Sequence, residues 1–223
     1  MKFTRHSLKG QDTAELDIHT LIVAGWTGRD HAALMHHVHE LEAIGVPAPS
    51  SMPVFYRNAA GNITQATRIE VLGPDTSGEV EPVIVAFDDG LWLGVGSDHT
   101  DRKAETQGIA LSKQLCLKPL STTLWRFDEI ADAWDQMKLR SFATIDGKRE
   151  RYQDGMLAAM RHPSDLIARY GKDLKPGTAM FCGTLGAIGG IRPAARFDME
   201  LEDPKSGRTL SHAYEISALP VVS

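Results

Sequence analysis

The chain is short of several things, and each shortage removes a class of function. Lysine and arginine number 24 against 29 aspartates and glutamates, giving a net charge of -5 over 223 residues. No basic stripe gathers anywhere along the chain, so nucleic-acid binding has no electrostatic footprint. No apolar run reaches membrane length, and Met1 to Gln11 are polar and basic with no apolar core behind them, so a cytoplasmic location is expected. The only cysteines, Cys116 and Cys182, match neither a zinc nor a redox spacing, and both are expected as buried or incidental thiols. The glycine-rich loop Gly186-Ala187-Ile188-Gly189-Gly190 lacks the lysine that a phosphate cradle needs. Repeats, low-complexity tracts and long linkers are also missing. One domain over residues 1–223 is expected, with residues 1–60 forming N-terminal strands and a lid-like helix.

What is present is enough apolar sequence, 42% of residues, to bury a core. Leu21-Ile22-Val23-Ala24 reads as a buried strand. Asp30 is a plausible N-cap for a helix over His31 to Ile44, closed by Gly45 and Pro47. On that helix His37 and Glu40 are three apart and His36 and Glu40 four apart, so either imidazole can meet the carboxylate. After a proline- and serine-rich loop, Val54 to Arg57 has strand character, with the Arg57 guanidinium available at its end for a carboxylate.

Glu79-Val80-Glu81-Pro82-Val83-Ile84-Val85-Ala86-Phe87 alternates so that Glu79 and Glu81 share a face with Val83, Val85 and Phe87. Carboxylates side by side repel unless a cation lies between them, which is how a hard, oxygen-liganded metal site is made; the plainer alternative is a strand end in water. Pro82 implies an edge strand or a bulge. An Asp88-Asp89-Gly90 turn returns the chain through Leu91 to Val95 into Gly96-Ser97-Asp98-His99-Thr100-Asp101-Arg102, which is dense in charge, as are Lys113 and Lys118 just beyond. Helices are expected over Glu105 to Ser112, over Phe127 to Met137 and from Pro163 to Tyr170, the last capped by Ser164 or Asp165. Hairpins are expected around Asp146-Gly147 and between Arg196 to Leu201 and Thr209 to Ala218.

The order of these signals resembles the fumarylacetoacetate hydrolase superfamily, in a short branch keeping the catalytic core without a separate N-terminal domain. Near its N-terminus that family has a histidine and, three positions on, a glutamate, as His37 and Glu40 stand here before Met52-Pro53-Val54-Phe55-Tyr56-Arg57. Its metal-binding strand opens with Glu-x-Glu, similar to Glu79-Val80-Glu81. Its Asp-x-[Ser/Thr]-x-Arg motif is matched by Asp98-His99-Thr100-Asp101-Arg102, and its lysine by Lys113 in Ser112-Lys113-Gln114. Its C-terminal run resembles Asp146-Gly147, Gln153-Asp154-Gly155, Leu174-Lys175-Pro176-Gly177 and Cys182-Gly183-Thr184-Leu185-Gly186. The chain departs from the pattern at Pro82, in a shorter interval between Glu81 and Asp98, and at Leu185 and Asp146, which replace a proline and an asparagine. These departures imply a reshaped pocket.

The resemblance implies an α+β, β-rich fold: a fumarylacetoacetate hydrolase-like mixed β-roll with peripheral helices, assembled as a homodimer. It implies Mg2+ or Mn2+ held by Glu79, Glu81 and Asp98, with Lys113 facing a developing oxyanion. His37, oriented by Glu40, would be general base for water, and Arg57, Arg102, Gln153 and Thr184 would contact the substrate. His99 falls at a variable position of the motif and receives no ligand role. The implied reaction is hydrolysis of a carbon–carbon bond in a small acylpyruvate-like, 2-keto or 1,3-dicarbonyl acid. Decarboxylation, isomerisation and binding without turnover stay open, as does whether His36 or His37 pairs with Glu40.

Overall fold

The computed structural model describes residues 1–30, 32, 34, 35, 39 and 49–222. Its larger sheet has eight strands in the spatial order Gly10–Glu15, Lys2–Ser7, Thr123–Arg126, Gly90–Ser97, Val80–Phe87, Thr178–Phe181, Thr20–Gly25, Val54–Asn58. A second sheet runs Lys148–Met156, Lys138–Ile145, Arg196–Asp203, Arg208–Leu219, Arg68–Leu72. Parallel and antiparallel pairs occur in both sheets. This is the β-rich α+β architecture that the resemblance implies.

Alternation along the central strands divides the core. Ile22, Ala24, Val80, Ile84, Leu93, Val95 and Met180 belong to one buried cluster, which extends to Phe197, Leu201 and Tyr214 of the second sheet. Their neighbours Leu21, Val23, Val83, Val85, Trp92, Ala179 and Phe181 form another cluster with Phe3 and Leu124. A strand buried on both faces reads as a continuous apolar run. That accounts for Val83 to Phe87, where every side chain is buried.

Several expectations are corrected. Pro82 is on no edge: its strand is central, paired with Gly90–Ser97 on one side and Thr178–Phe181 on the other. It is tolerated because the second pairing ends at Phe181↔Val83, and only the Pro82 carbonyl is used further, accepting from Cys182 N at 3.0 Å. The helix over Glu105 to Ser112 is instead two short ones, Arg102–Glu105 and Ile109–Gln114, the first capped by Asp101, whose carboxylate accepts from Ala104 N. Phe127 to Met137 forms two 3-10 turns, Phe127–Glu129 and Ala131–Gln136, broken at Ile130 with φ -127° and ψ -2°. The helix Pro163–Tyr170 is capped by the His162 imidazole, which accepts from Ser164 N, rather than by Ser164 or Asp165.

Residues 32, 34, 35 and 39 are helical, and Leu34 N donates to Asp30 O at 3.0 Å, as a helix starting there requires. His36, His37 and Glu40 lie outside the described residues. No helix among the described residues is long and apolar enough to cross a membrane. Both cysteines are buried free thiols.

Candidate metal centre

The open end of the Val80–Phe87/Gly90–Ser97 hairpin gathers the acidic residues. Val80 pairs with Ser97, so Glu79 and Asp98 flank the end of the ladder, where Asp98 N donates to Glu79 O at 3.0 Å. Glu79, Glu81 and Asp98 each offer an oxygen within 4.8 Å of the others. Glu81 and Asp98 are buried and Glu79 is partly so.

Cations surround two of the three acids. Lys113 donates to Asp98 Oδ2 in a short contact and lies 3.5 Å from Glu79 Oε2. Arg102 donates to Glu79 Oε1 at 2.8 Å and also to Ser77 and Glu105. Lys118, to which the sequence assigns no role, is wholly buried; its Nζ donates to the carbonyls of His99, at 2.6 Å, and Lys113. It lies 3.1 Å from Asp98 Oδ1, an ionic contact without hydrogen-bond alignment. The signal that could have found it is a lysine spaced five residues beyond Lys113 ahead of a proline, and that reads equally well as surface.

Glu81 has no cation of this kind among the described residues. Its Oε2 accepts only from Gly183 N, at 2.7 Å. Gly183 sits at φ 98°, and a Cβ there would lie 1.7 Å from Thr27 Oγ1, so only glycine presents its amide to Glu81 in this way. Burial, then the charges of Asp98 and Glu79, push the Glu81 carboxyl well above its usual range despite Lys113. Burial would also raise Asp98, but Lys113 and Lys118 outweigh it and hold that carboxyl low. Lys113 itself stays an ammonium, since Asp98, Glu79 and Glu81 overcome its burial.

This set fits a hard divalent ion. The donors are all carboxylate oxygens, and Glu81, buried with a single backbone donor, is short of positive charge.

Behind the acids a hydrogen-bonded chain fixes the loop. Tyr214 Oη, from the second sheet, lies 2.8 Å from Ser97 Oγ and 2.9 Å from His99 Nδ1, while His99 Nε2 lies 2.9 Å from Thr76 Oγ1. Ser97 Oγ in turn accepts from Glu79 N at 3.2 Å. Burial, reinforced by Lys118 and Arg102, lowers the His99 pKa to about 3, so this imidazole is neutral and structural. Nothing local in the sequence announces Tyr214 as its partner.

Glu79 and Glu81 line a cavity of about 680 Å³. Gln153 and Thr184 line it, but their polar atoms serve the scaffold. Gln153 Oε1 accepts from Val80 N and Ser141 Oγ, its amide donates to Thr184 Oγ1 and Leu185 O, and Thr184 Oγ1 donates to Val80 O. Arg57 is exposed and does not line the cavity; its neighbour Tyr56 does, because alternate residues of a strand face opposite ways. The structure thus brings together Glu79, Glu81, Asp98, Lys113, Arg102, Gln153 and Thr184, and leaves Arg57 apart.

The fold has known counterparts. The chain is similar to a fumarylacetoacetate isomerase/hydrolase candidate from Oleispira antarctica (TM-score 0.65, 17% identity, covering 95% of this chain and 98% of that one). It is similar to yeast ynq8, a fumarylacetoacetate hydrolase family protein (TM-score 0.62, 17% identity, 92% and 95% covered). It is also similar to a 2-keto-3-deoxyarabinonate dehydratase (TM-score 0.63, 14% identity, 94% and 78% covered). No curated protein matches the chain significantly in sequence. The architecture is therefore the fumarylacetoacetate hydrolase fold that the motifs imply. With residues 24–214 matching its model, the chain belongs to the family described as Protein of unknown function (DUF2848).

Proposed function

We propose that the chain is a divalent-metal-dependent enzyme that cleaves a carbon–carbon bond in a small acylpyruvate-like, 2-keto or 1,3-dicarbonyl acid through an enolate. The observation that carries this reading is the convergence of Glu79, Glu81 and Asp98 within 4.8 Å, with Glu79 and Glu81 lining a ligand-sized cavity. Mg2+ or Mn2+ bound there supplies a Lewis acid for the adjacent oxygens of such an acid. Lys113 holds a fixed ammonium beside the acids, where negative charge on an enolate oxygen would develop. Arg102 keeps Glu79 in place, and the Gly183 amide does the same for Glu81. The His37 and Glu40 pair expected from the sequence would activate water for hydrolysis.

The test is a panel of acylpyruvates, oxaloacetate and other 2-keto acids assayed with Mg2+ or Mn2+, in wild type and His37→Ala. Hydrolysis predicts metal-dependent consumption that falls at least about a hundredfold in His37→Ala. Turnover that survives this change would redirect the reading to decarboxylation or isomerisation by the same enolate. Metal-dependent binding with no member consumed would make the chain a binding protein.

A further inference from the structure

The side chains that line the cavity are of two chemical kinds. Every charged side chain lining it among the described residues, namely Glu79, Glu81, Arg102, Glu105 and Lys113, belongs to one connected cluster. Both cations of that cluster are already engaged with carboxylates. Most of the remaining wall is apolar or aromatic, chiefly Trp26, Leu34, Tyr56, Ile109, Leu185 and Ile191, interrupted by the side chains of Thr27, Thr106, Gln153 and Thr184.

These groups are held in place. Trp26 follows the Thr20–Gly25 strand at φ 59°, a left-handed conformation uncommon for a bulky residue and one that surrounding structure must impose. Tyr56 lies against Gly25, where a Cβ would come within 3.0 Å of its ring, and its hydroxyl is hydrogen-bonded by the Trp26 side chain. Leu34 lies over Gly28 and Leu185 over Gly155, with a Cβ at either glycine meeting the leucine at 3.3 and 3.0 Å. Ile191 at the rim is 55% exposed, an apolar side chain left open to solvent beside the cavity.

We infer that this wall selects the substrate's tail: the site takes a 2-keto or 1,3-dicarbonyl monoacid with an aliphatic or aryl tail, and discriminates against a second carboxylate. This inference rests on the reading that the acidic cluster receives the acid head group. A distal carboxylate would be partly desolvated against Trp26 and Leu185, with no uncommitted guanidinium or ammonium among the described residues that line the cavity to receive it. An alkyl tail would instead remove apolar surface from water.

Calorimetric titration of Mn2+-loaded protein with pyruvate, 2-oxobutanoate, 2-oxopentanoate and 2-oxohexanoate reads the tail directly. Affinity is expected to rise roughly fourfold per methylene. 2-Oxoglutarate is expected to bind at least about tenfold more weakly than 2-oxohexanoate. Ile191→Asp, at an exposed position the fold tolerates, should flatten the series. A flat series in wild type, or 2-oxoglutarate binding as tightly as 2-oxohexanoate, overturns the inference. Repeating the series after chelation separates it from the metal reading. If the tail slope persists while no affinity depends on metal, the metal reading fails and the tail wall stands. If metal dependence persists without a slope, the reverse holds, and if no acid binds in either state both are overturned.

Discussion

The two ends of the Val80–Phe87/Gly90–Ser97 hairpin carry charge in opposite ways. At the turn end, Arg5 lies near the rings of Phe87 and Trp92, 4.8 and 4.4 Å from their centroids. It pairs with Asp12 at 2.6 Å and Asp89 at 3.0 Å, whose side chains are 55% and 48% exposed. The acids there reach both a guanidinium and water, and Asp89 also accepts from the Trp92 indole. At the open end, Glu81 and Asp98 are out of water, Glu81 has one backbone donor, and Asp98 leans on two buried lysines. A surface ion-pair cluster of the first kind is common and worth little, whereas an under-compensated buried acid costs free energy unless a cation completes it. The contrast, rather than the number of acids, marks the open end as the candidate site.

The sharpest way to break that contrast is Asp98→Ala. The change removes one of the carboxylates and leaves Lys113 and Lys118 without their shared partner. Turnover should fall by about a thousandfold or more, and the Mn2+ binding isotherm should disappear. Mn2+ affinity within tenfold of wild type would show that the open end is only a buried ion-pair network.

Lys118→Met comes next. Lys118 Nζ serves the carbonyls of His99 and Lys113 and the Asp98 carboxylate, all where water does not reach. Removing one member of a buried pair leaves the other charge uncompensated, so urea denaturation should show a loss of about 3–5 kcal/mol. A loss below about 1 kcal/mol would put Lys118 in the same class as Arg5's exposed partners.

Tyr214→Phe should have a smaller effect. It deletes the hydroxyl between Ser97 and His99, leaving two buried polar groups short of a partner at a cost of about 1–3 kcal/mol. Because Ser97 holds Glu79 N, Mn2+ affinity should weaken alongside stability. Calorimetry and denaturation of the same variant check both.

How far the site could be read in the sequence follows from how local each interaction is. Glu79 immediately precedes the strand that carries Glu81, and Asp98 immediately follows its hairpin partner, so sequence adjacency and a short turn are enough to bring them together. Lys113 is fifteen residues beyond Asp98 in a helix packed on the same loop, and the motif carried it. Lys118 and Tyr214 were illegible because their partners are backbone carbonyls or residues over a hundred positions away, which no spacing encodes. Arg57 is the opposite case: its guanidinium stands one residue out of phase with the cavity-lining Tyr56, and one residue on a strand means the other face. In the fold, the strands followed from alternation, while the break at Ile130 goes with the packing of Phe127, Ile130 and Trp134 into the core, which overrode the helical spacing.

Asp12→Asn is the weakest perturbation and the control for the whole comparison. Asp12 is one of Arg5's two carboxylate partners and is largely in solvent, while Asp89 stays 3.0 Å from the guanidinium when Asp12 is neutralised. The Arg5 guanidinium lowers the Asp12 pKa through their hydrogen bond, so the pair's contribution is present at neutral pH and fades as pH falls through the lowered value. Solvent and salt screen the pair, so the loss at neutral pH should stay below about 1 kcal/mol and shrink further at 1 M salt. Mn2+ binding should not move, because Asp12 is at the opposite end of the hairpin from Glu81. A shift in Mn2+ affinity in this variant would mean that the two ends communicate through the strands, and the division between a structural end and a chemical end would have to be given up.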